Sequence, residues 1–511
     1  MGHVMRCLAL AEPWLQVGSA VTLLTAAPSP VLRARAESLG VSLRELSAPP
    51  GSPADTAETI TLAQSLRAAW LVLDGYHFDA AFQRDVKAAD LRLLVFDDTA
   101  HAAHYSADFI LNQNLGATAA LYPHRDLPTR PLLGPRFVQL RGEFTALQRS
   151  AEHRSAGSEE RLKAEQCSAL RLLVTLGGSD PDNITAQVLS ILRTIPEISA
   201  DIILGPTNPH VAELQSLLTV HPSPFTLHHS PQNLPALMSR ADLALCAGGT
   251  TAWELSFLGV PMLVLVLAEN QRSNAEQLDA TGAAIHTTLA SLVTDLRPLL
   301  ADAPRRAEMS RRARVLVDGL GTFRVWLRMN ENSLHLRPAT AADCRRVWEW
   351  ANDPAVRAVS FTSDPIPWEQ HTAWFTRKLA DTNTRLWIAE QVGAPVSKPA
   401  LSDSRVPKAG LETGAPPLGQ VRFDLDGSTA TISVSLDATR RGKNLGALLL
   451  WSACQKIFHD SAVETIHALI KPDNTASVRA FEKAGFEPAG QITVKGCAAL
   501  CFALSRAAAE P

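Results

Sequence analysis

The chain opens on "MGHVMRCLALAEPWLQVG", with His3 beside a glycine and three residues before Arg6, at the mouth of an apparent helix. A neutral imidazole near pH 7 is suited to deprotonating water, and a helix N-terminus disfavours its charged form. The alternative is a hydrogen-bonded cleft histidine with no chemical role. Two glycine turns follow apolar runs: "GGSDPDN" (177–183) and "CAGGTTAWE" (246–254). In the second, amides at Gly249 and Thr250 have the geometry to hold a diphosphate, and Glu254, one turn into the helix, to hold ribose hydroxyls. Taken alone, either stretch is better explained as a plain tight turn between strand and helix. Two such turns followed by "LAENQ" (267–271) shift the balance toward a nucleotide-sugar site. A further stretch, "SLDATRRGKNLGALLLW" (435–451), sets Arg441, Gly442, Lys443, Asn444 and Gly446 between a strand and an apolar helix. Successive N–H groups there would cradle a diphosphate; the alternative is a basic turn at a helix start.

These residues need elements to hold them. "VTLLT" (21–25), "WLVLD" (70–74), "LRLLVFDD" (91–98) and "DFILN" (108–112) are short continuous apolar runs, the signature of parallel strands buried on both faces. The rhythm resumes with "LRLLVTLGGSD" (170–180), "ADIILG" (200–205), "ADLALCAGGT" (241–250) and "PMLVLVL" (261–267). This predicts an α/β chain with two Rossmann-like lobes, 1–147 and 169–328, joined by a polar linker at 148–168, with a cleft where their carboxyl strand ends face each other. A third unit, 334–511, begins near "LHLRPATAADCRRVWEW" and carries "RLWIAE" (385–390), "GQVRFDLD" (419–426) and "TATISVSLD" (429–437) as strands. The Pro/Gly/Ser-rich stretch 392–418 reads as a flexible insertion in it.

Composition narrows the function classes. A length of 511 residues implies two to four domains. A hydrophobic content of 46%, 19% charged residues and a formal charge of -3 fit a globular protein and speak against nucleic acid or acidic membranes as partners. No apolar run reaches the ~18–20 residues of a membrane span, so no stable membrane insertion is expected. Seven scattered cysteines without a C-x-x-C pair suit a reducing cytoplasm and no structural zinc.

Several motifs in order carry a resemblance over roughly residues 1–325: "GHVMRCLALA", "LVLDGYHFDAAF", "VFDDTA", "LNQNLG", "LLGPRFVQLRGEF" and "AGGTTAWELSFLGVPMLVLVLAENQ". Together they resemble the UDP-2,4-diacetamido-2,4,6-trideoxy-β-L-altropyranose hydrolases of pseudaminic acid biosynthesis, GT-B-like enzymes related to the peptidoglycan GlcNAc transferase. The resemblance implies that water attacks the anomeric carbon and UDP leaves, without a metal. Its G-H-x-x-R pattern, matched by Gly2, His3 and Arg6, makes His3 the expected base and Arg6 a substrate-binding residue. It implies sugar- or water-positioning roles for Asp74 and Tyr76, a sugar contact for Asn270, and UDP contacts for Gly249, Thr250 and Glu254. His77, His101 and His104 match no role and are expected at the surface or in loops. Members of this family carry a strand and a glycine-bearing loop before G-H-x-x-R, which this chain lacks. Losing ~400 Å² of buried apolar surface at ~25 cal/mol per Å² would cost on the order of 10 kcal/mol. The expectation is therefore a start site set too late, by about 15 residues.

The third unit resembles the GNAT acetyltransferases over 334–506, whose pyrophosphate loop reads R/Q-x-x-G-x-G/A. Arg441, Gly442, Lys443, Asn444 and Gly446 then hold acetyl-CoA, with Asn444 standing where the family has its middle glycine; Asn tolerates left-handed geometry. "KPDNTASVRAFEKAGF" (471–486) matches the second half, with Asn474 and Ser477 near the pantetheine arm and adenosine phosphates. Phe481 stands where many members have a tyrosine general acid, so no acid is assigned. "WANDPAVRAVSFTSDPIPWEQHTAWF" (350–375) resembles the acceptor helices of sugar-amine members, with Arg357, Ser360, Trp368, His371 and Trp374 as candidates. Residues 368, 371 and 374 share a helix face, and core packing explains the stripe as well as sugar stacking does. The combined expectation is a bifunctional cytoplasmic enzyme: an acetyltransferase that caps a UDP-4-amino-sugar and a hydrolase that frees the product from UDP. The alternatives are a GT-B glycosyltransferase, an N-terminal protein acetyltransferase in the third unit, and a truncated chain that only binds UDP-sugar.

Overall fold

The computed structural model describes residues 2–147, 170–220, 224–392 and 417–509. The linker expected at 148–168 and residues 393–416 of the expected insertion lie outside them. The chain forms two compact units, one of Met1–Glu12 with Ala20–Val325, the other of Pro13–Ser19 with Trp326–Pro511.

In the first unit β1 (Thr22–Thr25) and β2 (Ser42–Glu45) make a parallel pair. Strands β3 (Leu71–Asp74), β4 (Leu93–Phe96), β5 (Phe109–Asn112) and β6 (Arg130–Leu133) make a parallel sheet in that order. The register sets Asp74, the last residue of β3, opposite Phe96 of β4. The second lobe is a six-stranded sheet of β7 (Leu170–Thr175), β8 (Ile198–Leu204), β9 (Phe225–His229), β10 (Leu243–Ala247), β11 (Met262–Leu265) and β12 (Ala284–Thr287). Its order, β12-β11-β10-β7-β8-β9, reverses direction between β7 and β10, the switch point at which such sheets open a crevice. Both glycine turns follow those two strands.

The continuous apolar runs have a packing cause. Leu172, Val174, Leu243 and Leu245 join one buried cluster, and Leu173, Ala244 and Cys246 join another. Alternate residues of one strand thus face two cores, so both faces of the sheet are covered. Each buried Leu or Val contributes about 1.5–3 kcal/mol. Val138, Leu140 and Phe144, beyond β6, pack in the second cluster and tie the first lobe to it.

The second unit is a seven-stranded sheet of β13 (Leu334–Pro338), β14 (Thr384–Gln391), β15 (Pro417–Asp426), β16 (Thr429–Leu436), β17 (Thr465–Ile470), β18 (Glu487–Val494) and β19 (Cys497–Ser505). The order is β13-β14-β15-β16-β17-β19-β18, and every pairing is antiparallel except β16 with β17. The β16–β17 ladder runs from Thr429↔Thr465 to Ile432↔Ala468 and stops, although both strands continue. The strands therefore part at their carboxyl ends. The helix Leu445–Asp460 makes the crossover between them, and eleven of its residues are buried. The helices Cys344–Ala351 and Trp368–Ala380 pack Val347, Trp350 and Phe375 on Leu386 and Ile388 of β14.

Candidate functional site

His3 lies in the first turn of the helix Gly2–Gln16, and Arg6 follows one turn later on the same face. Both reach the end of β3. Asp74 Oδ1 is 2.5 Å from His3 Nδ1. Arg6 donates from Nε to Asp74 Oδ2 at 2.6 Å and from Nη2 to Oδ1 at 2.6 Å. Its remaining Nη1 donates to Asp98 Oδ2 at 2.7 Å, two residues past the end of β4. Asp74 is 3% exposed and the His3 side chain 38%, so the imidazole has one nitrogen on a buried carboxylate and an accessible remainder. With Nδ1 engaged by Asp74, the ring nitrogen left for another partner is Nε2.

The charges in this group are held in place by one another. Burial would raise the Asp74 carboxyl, but the hydrogen bonds from Arg6 and His3 outweigh it and hold the group below its ordinary value. Burial likewise opposes the Arg6 charge, and the bonds to Asp74 and Asp98 more than restore it. Cys7, 3.6 Å from Asp74 Oδ2, is pushed well above the ordinary thiol range by burial and by the Asp74 charge, so it stays a thiol.

Around His3 the first lobe meets the second. Tyr76 sits edge-on to His3 at 5.3 Å, and its hydroxyl accepts from Asn270 Nδ2 at 3.0 Å. His101, expected as a surface or loop residue, is in the loop after β4 and lies edge-on to Tyr76 at 5.7 Å. Asp97 fixes that loop by accepting from Thr99 N at 2.9 Å, Ala100 N at 2.8 Å and the Tyr105 hydroxyl.

The two glycine turns differ. Asp180 Oδ1 accepts from Ile184 N at 2.9 Å and Oδ2 from Thr185 N at 2.9 Å, so a carboxylate already covers the start of the helix Ile184–Leu192. The anion reading of "GGSDPDN" is corrected accordingly. At the second turn Gly249 precedes the helix Thr250–Leu258 with no side-chain cap, and a Cβ placed on Gly249 would meet nothing within 4 Å. A Cβ on Gly2 would lie 3.8 Å from Thr250 Oγ1. The starts of two helices thus lie close together, and an uncapped helix N-terminus favours an anion. Glu254, expected at a ribose, has its Oε1 taken by Arg141 (Nε 2.9 Å, Nη2 2.8 Å), while burial pushes its carboxyl up despite that partner. Arg141 and Asp98 were not singled out from the sequence; "LRGEF" and "VFDDTA" contain them.

In the second unit the loop after β16 takes the shape of an anion cradle. Gly442 has φ +74° and Asn444 is left-handed at φ 55°, ψ -1°, with no side-chain cap on the helix Leu445–Asp460. Lys483 Nζ donates to Asn444 Oδ1 at 2.6 Å. A Cβ on Gly446 would come to 3.2 Å of Leu436 Cδ1, so glycine lets the helix start close on β16. Arg441 differs from its expected role: Nη1 meets Asp353 Oδ1 at 2.9 Å and Nη2 donates to Leu436 O at 3.0 Å, so its charge braces the loop. Gly442 and Lys443 are exposed. Asn474 Oδ1 accepts from Ser477 N at 3.2 Å and caps the helix Thr475–Lys483. Phe481 is 4% exposed and edge-on to Phe486 at 4.9 Å, a core residue.

The expected acceptor residues are engaged in packing. Arg357 donates from Nε to Ala351 O at 2.6 Å and from Nη2 to Ser360 Oγ at 3.0 Å, closing the loop they flank. His371 is 2% exposed between Trp374 at 5.3 Å and Phe375 at 5.8 Å, and burial lowers its pKa. Trp368 packs on Trp348 at 5.5 Å, with Arg345 over both rings. His371 lies in the core, while Trp368 and Trp374 stay half-buried. Among the described residues no group of three or more His, Cys, Asp or Glu is arranged to hold a metal ion, and no helix is long and apolar enough to cross a membrane.

Residues 172–318 match the glycosyltransferase family 28 C-terminal domain, and residues 333–487 match the acetyltransferase (GNAT) domain. An uncharacterized protein of Methanocaldococcus jannaschii is 21% identical over 509 residues, covering 95% of this chain and 94% of its own. The spore coat polysaccharide biosynthesis protein SpsG of Bacillus subtilis is 27% identical over 246 residues, 46% of this chain and 68% of that protein. The UDP-N-acetylglucosamine–N-acetylmuramyl-(pentapeptide) pyrophosphoryl-undecaprenol N-acetylglucosamine transferase of Alkalilimnicola ehrlichii is 29% identical over 163 residues, 29% of this chain and 44% of that protein. The chain thus carries a glycosyltransferase-28-like domain at 172–318, the second lobe of the first unit, followed by a GNAT-like acetyltransferase domain at 333–487.

Proposed function

We propose that the chain is a bifunctional nucleotide-sugar enzyme of pseudaminic acid biosynthesis. Its first unit hydrolyses UDP-2,4-diacetamido-2,4,6-trideoxy-β-L-altropyranose, and its second acetylates the UDP-4-amino-sugar precursor. The observation that carries the hydrolase reading is the His3–Asp74 contact of 2.5 Å beside the paired helix N-termini of Gly2 and Thr250. His3 Nε2 takes a proton from water, and the hydroxyl oxygen bonds to the anomeric carbon. The bond from that carbon to the diphosphate oxygen breaks, and the electron pair leaves with UDP. The amides at Gly249 and Thr250 receive the charge that develops on the leaving phosphate. Tyr76 and Asn270, bonded to each other at 3.0 Å, would open that bond to hold the sugar.

In the second unit the loop 441–446 and the parted ends of β16 and β17 fit acetyl-CoA. The cofactor supplies an activated acyl group; the chain binds its diphosphate through the loop amides and Lys443, and Asn474 and Ser477 set the neighbouring helix. Phe481 has no proton to give.

A second reading, transfer of the sugar to an acceptor other than water, is favoured by the family 28 match and by the named activity of the Alkalilimnicola relative. Incubating the UDP-sugar with enzyme alone and following products by NMR separates the two. Free reducing sugar formed in step with UDP supports hydrolysis. UDP release that waits for an added alcohol or lipid acceptor contradicts it.

A further inference from the structure

Of the acceptor residues anticipated from the sequence, His371 is buried and Arg357 and Ser360 hold their own loop; the second unit also has a cleft of about 400 Å³ away from them. Its walls are Arg346, Glu349 and Trp350 of the helix Cys344–Ala351, Asp353 just beyond it, Pro417 at the start of β15, and Asp437 after β16. The cleft adjoins the acyl-donor loop, because Asp353 is the residue that braces Arg441 at 2.9 Å. On the sheet side it is bounded by the start of β15 and the residues that follow β16.

The carboxylates in this cleft are not equivalent. Glu349 is answered by Arg345 at 3.0 Å and Asp353 by Arg441. Asp437 is held by neutral donors: Thr439 Oγ1 at 2.6 Å and Thr439 N at 3.0 Å on Oδ1, and the Trp350 indole at 3.1 Å on Oδ2. An ionised carboxylate has about four acceptor positions, so Oδ2 retains one. These bonds, the Thr439 hydroxyl first, keep the group below its ordinary value, with Arg440 adding a through-space share. A fixed anion beside an indole suits an ammonium on a compact, ring-shaped body.

The geometry points to this cleft as the acceptor site, with Asp437 receiving the ammonium of an amino-sugar and Trp350 forming the wall beneath it. The inference rests on the acetyltransferase reading and names a specificity-determining residue within it. Arg346 on the same rim faces the anionic part of a sugar nucleotide.

Calorimetry on the full chain tests it, with CoA, a UDP-linked 4-amino-4,6-dideoxyhexose and the N-acetylated form of that sugar as probes. Asp437→Asn removes the charge and keeps one carbonyl oxygen, enough for Thr439 or the Trp350 indole but not for both. It should weaken binding of the amine roughly tenfold and leave CoA and the N-acetylated sugar within about twofold. Equal amine affinity in the variant overturns the assignment, as does wild-type protein that binds amine no better than its acetylated form. Failure of the wild type to bind CoA counts against the acetyltransferase reading alone, and the amine comparison still decides the cleft.

Discussion

At the residue scale the first unit turns on a buried carboxylate that two helical side chains share. In the proposed hydrolysis Asp74 is a positioning residue: it orients His3 and is itself clamped by Arg6, which Asp98 steadies from the loop after β4. Asp74→Asn should lower UDP release by about 10²–10⁴-fold, the range of a misplaced general base, and soften the fold by about 3–5 kcal/mol because Arg6 keeps a buried charge. The acid dependence has a definite sign. The folded-state pKa of Asp74 lies below its ordinary 3.8, so its contribution is complete above that value and is lost as pH falls through the lower one. The stability gap between wild type and variant should therefore be constant near neutrality and narrow below about pH 4 in acid titrations followed by circular dichroism. A gap that persists into stronger acid would contradict the pairing. His3 was legible as a candidate because its neighbours form a pattern. Asp98 and His101 were not, since their contacts come from residues far off in the chain and depend on which strands lie side by side.

At the element scale, what distinguishes the two glycine turns is who occupies the helix start. Asp180 fills the first, so Asp180→Ala should cost roughly 1 kcal/mol in urea unfolding without touching nucleotide affinity. Gly249 leaves the second open. Gly249→Asp supplies a capping carboxylate in open space, and should leave stability unchanged or higher while UDP affinity, measured by calorimetry, falls more than about tenfold. Unaltered UDP binding in that variant would move the nucleotide elsewhere. The strands divide the same way between legible and hidden. The central β4, β5, β10 and β11 are covered on both faces and appear as unbroken apolar runs. The strands with no apolar signature, β2 ("SLRE"), β6 ("RPLL"), β9 ("FTLHH") and β12 ("AIHT"), all lie at sheet edges, where polar side chains reach water.

At the scale of the whole molecule, the proposed function sets two chemistries in two compact units, each with its own sheets and a helix start that no side chain caps. Their sites share no side chain, so the variants should act independently: His3→Asn suppresses UDP release and spares acetyl transfer, Asp437→Asn does the reverse, and the double variant shows the sum of the two effects. If the linked pair raises the local concentration of the intermediate, a mixture of the two single variants should convert amino-sugar to free acetylated sugar more slowly than the wild-type chain at equal site concentrations. Equal rates would mean that linkage serves no kinetic purpose. The central claim, an uncharged imidazole at position 3 taking a proton from the attacking water, meets its most direct test in one assay. UDP release by wild type and His3→Asn is measured at saturating UDP-sugar, with UDP affinity determined in parallel. The account predicts turnover reduced by at least about 10²-fold with nucleotide affinity intact; undiminished turnover in the variant would contradict it.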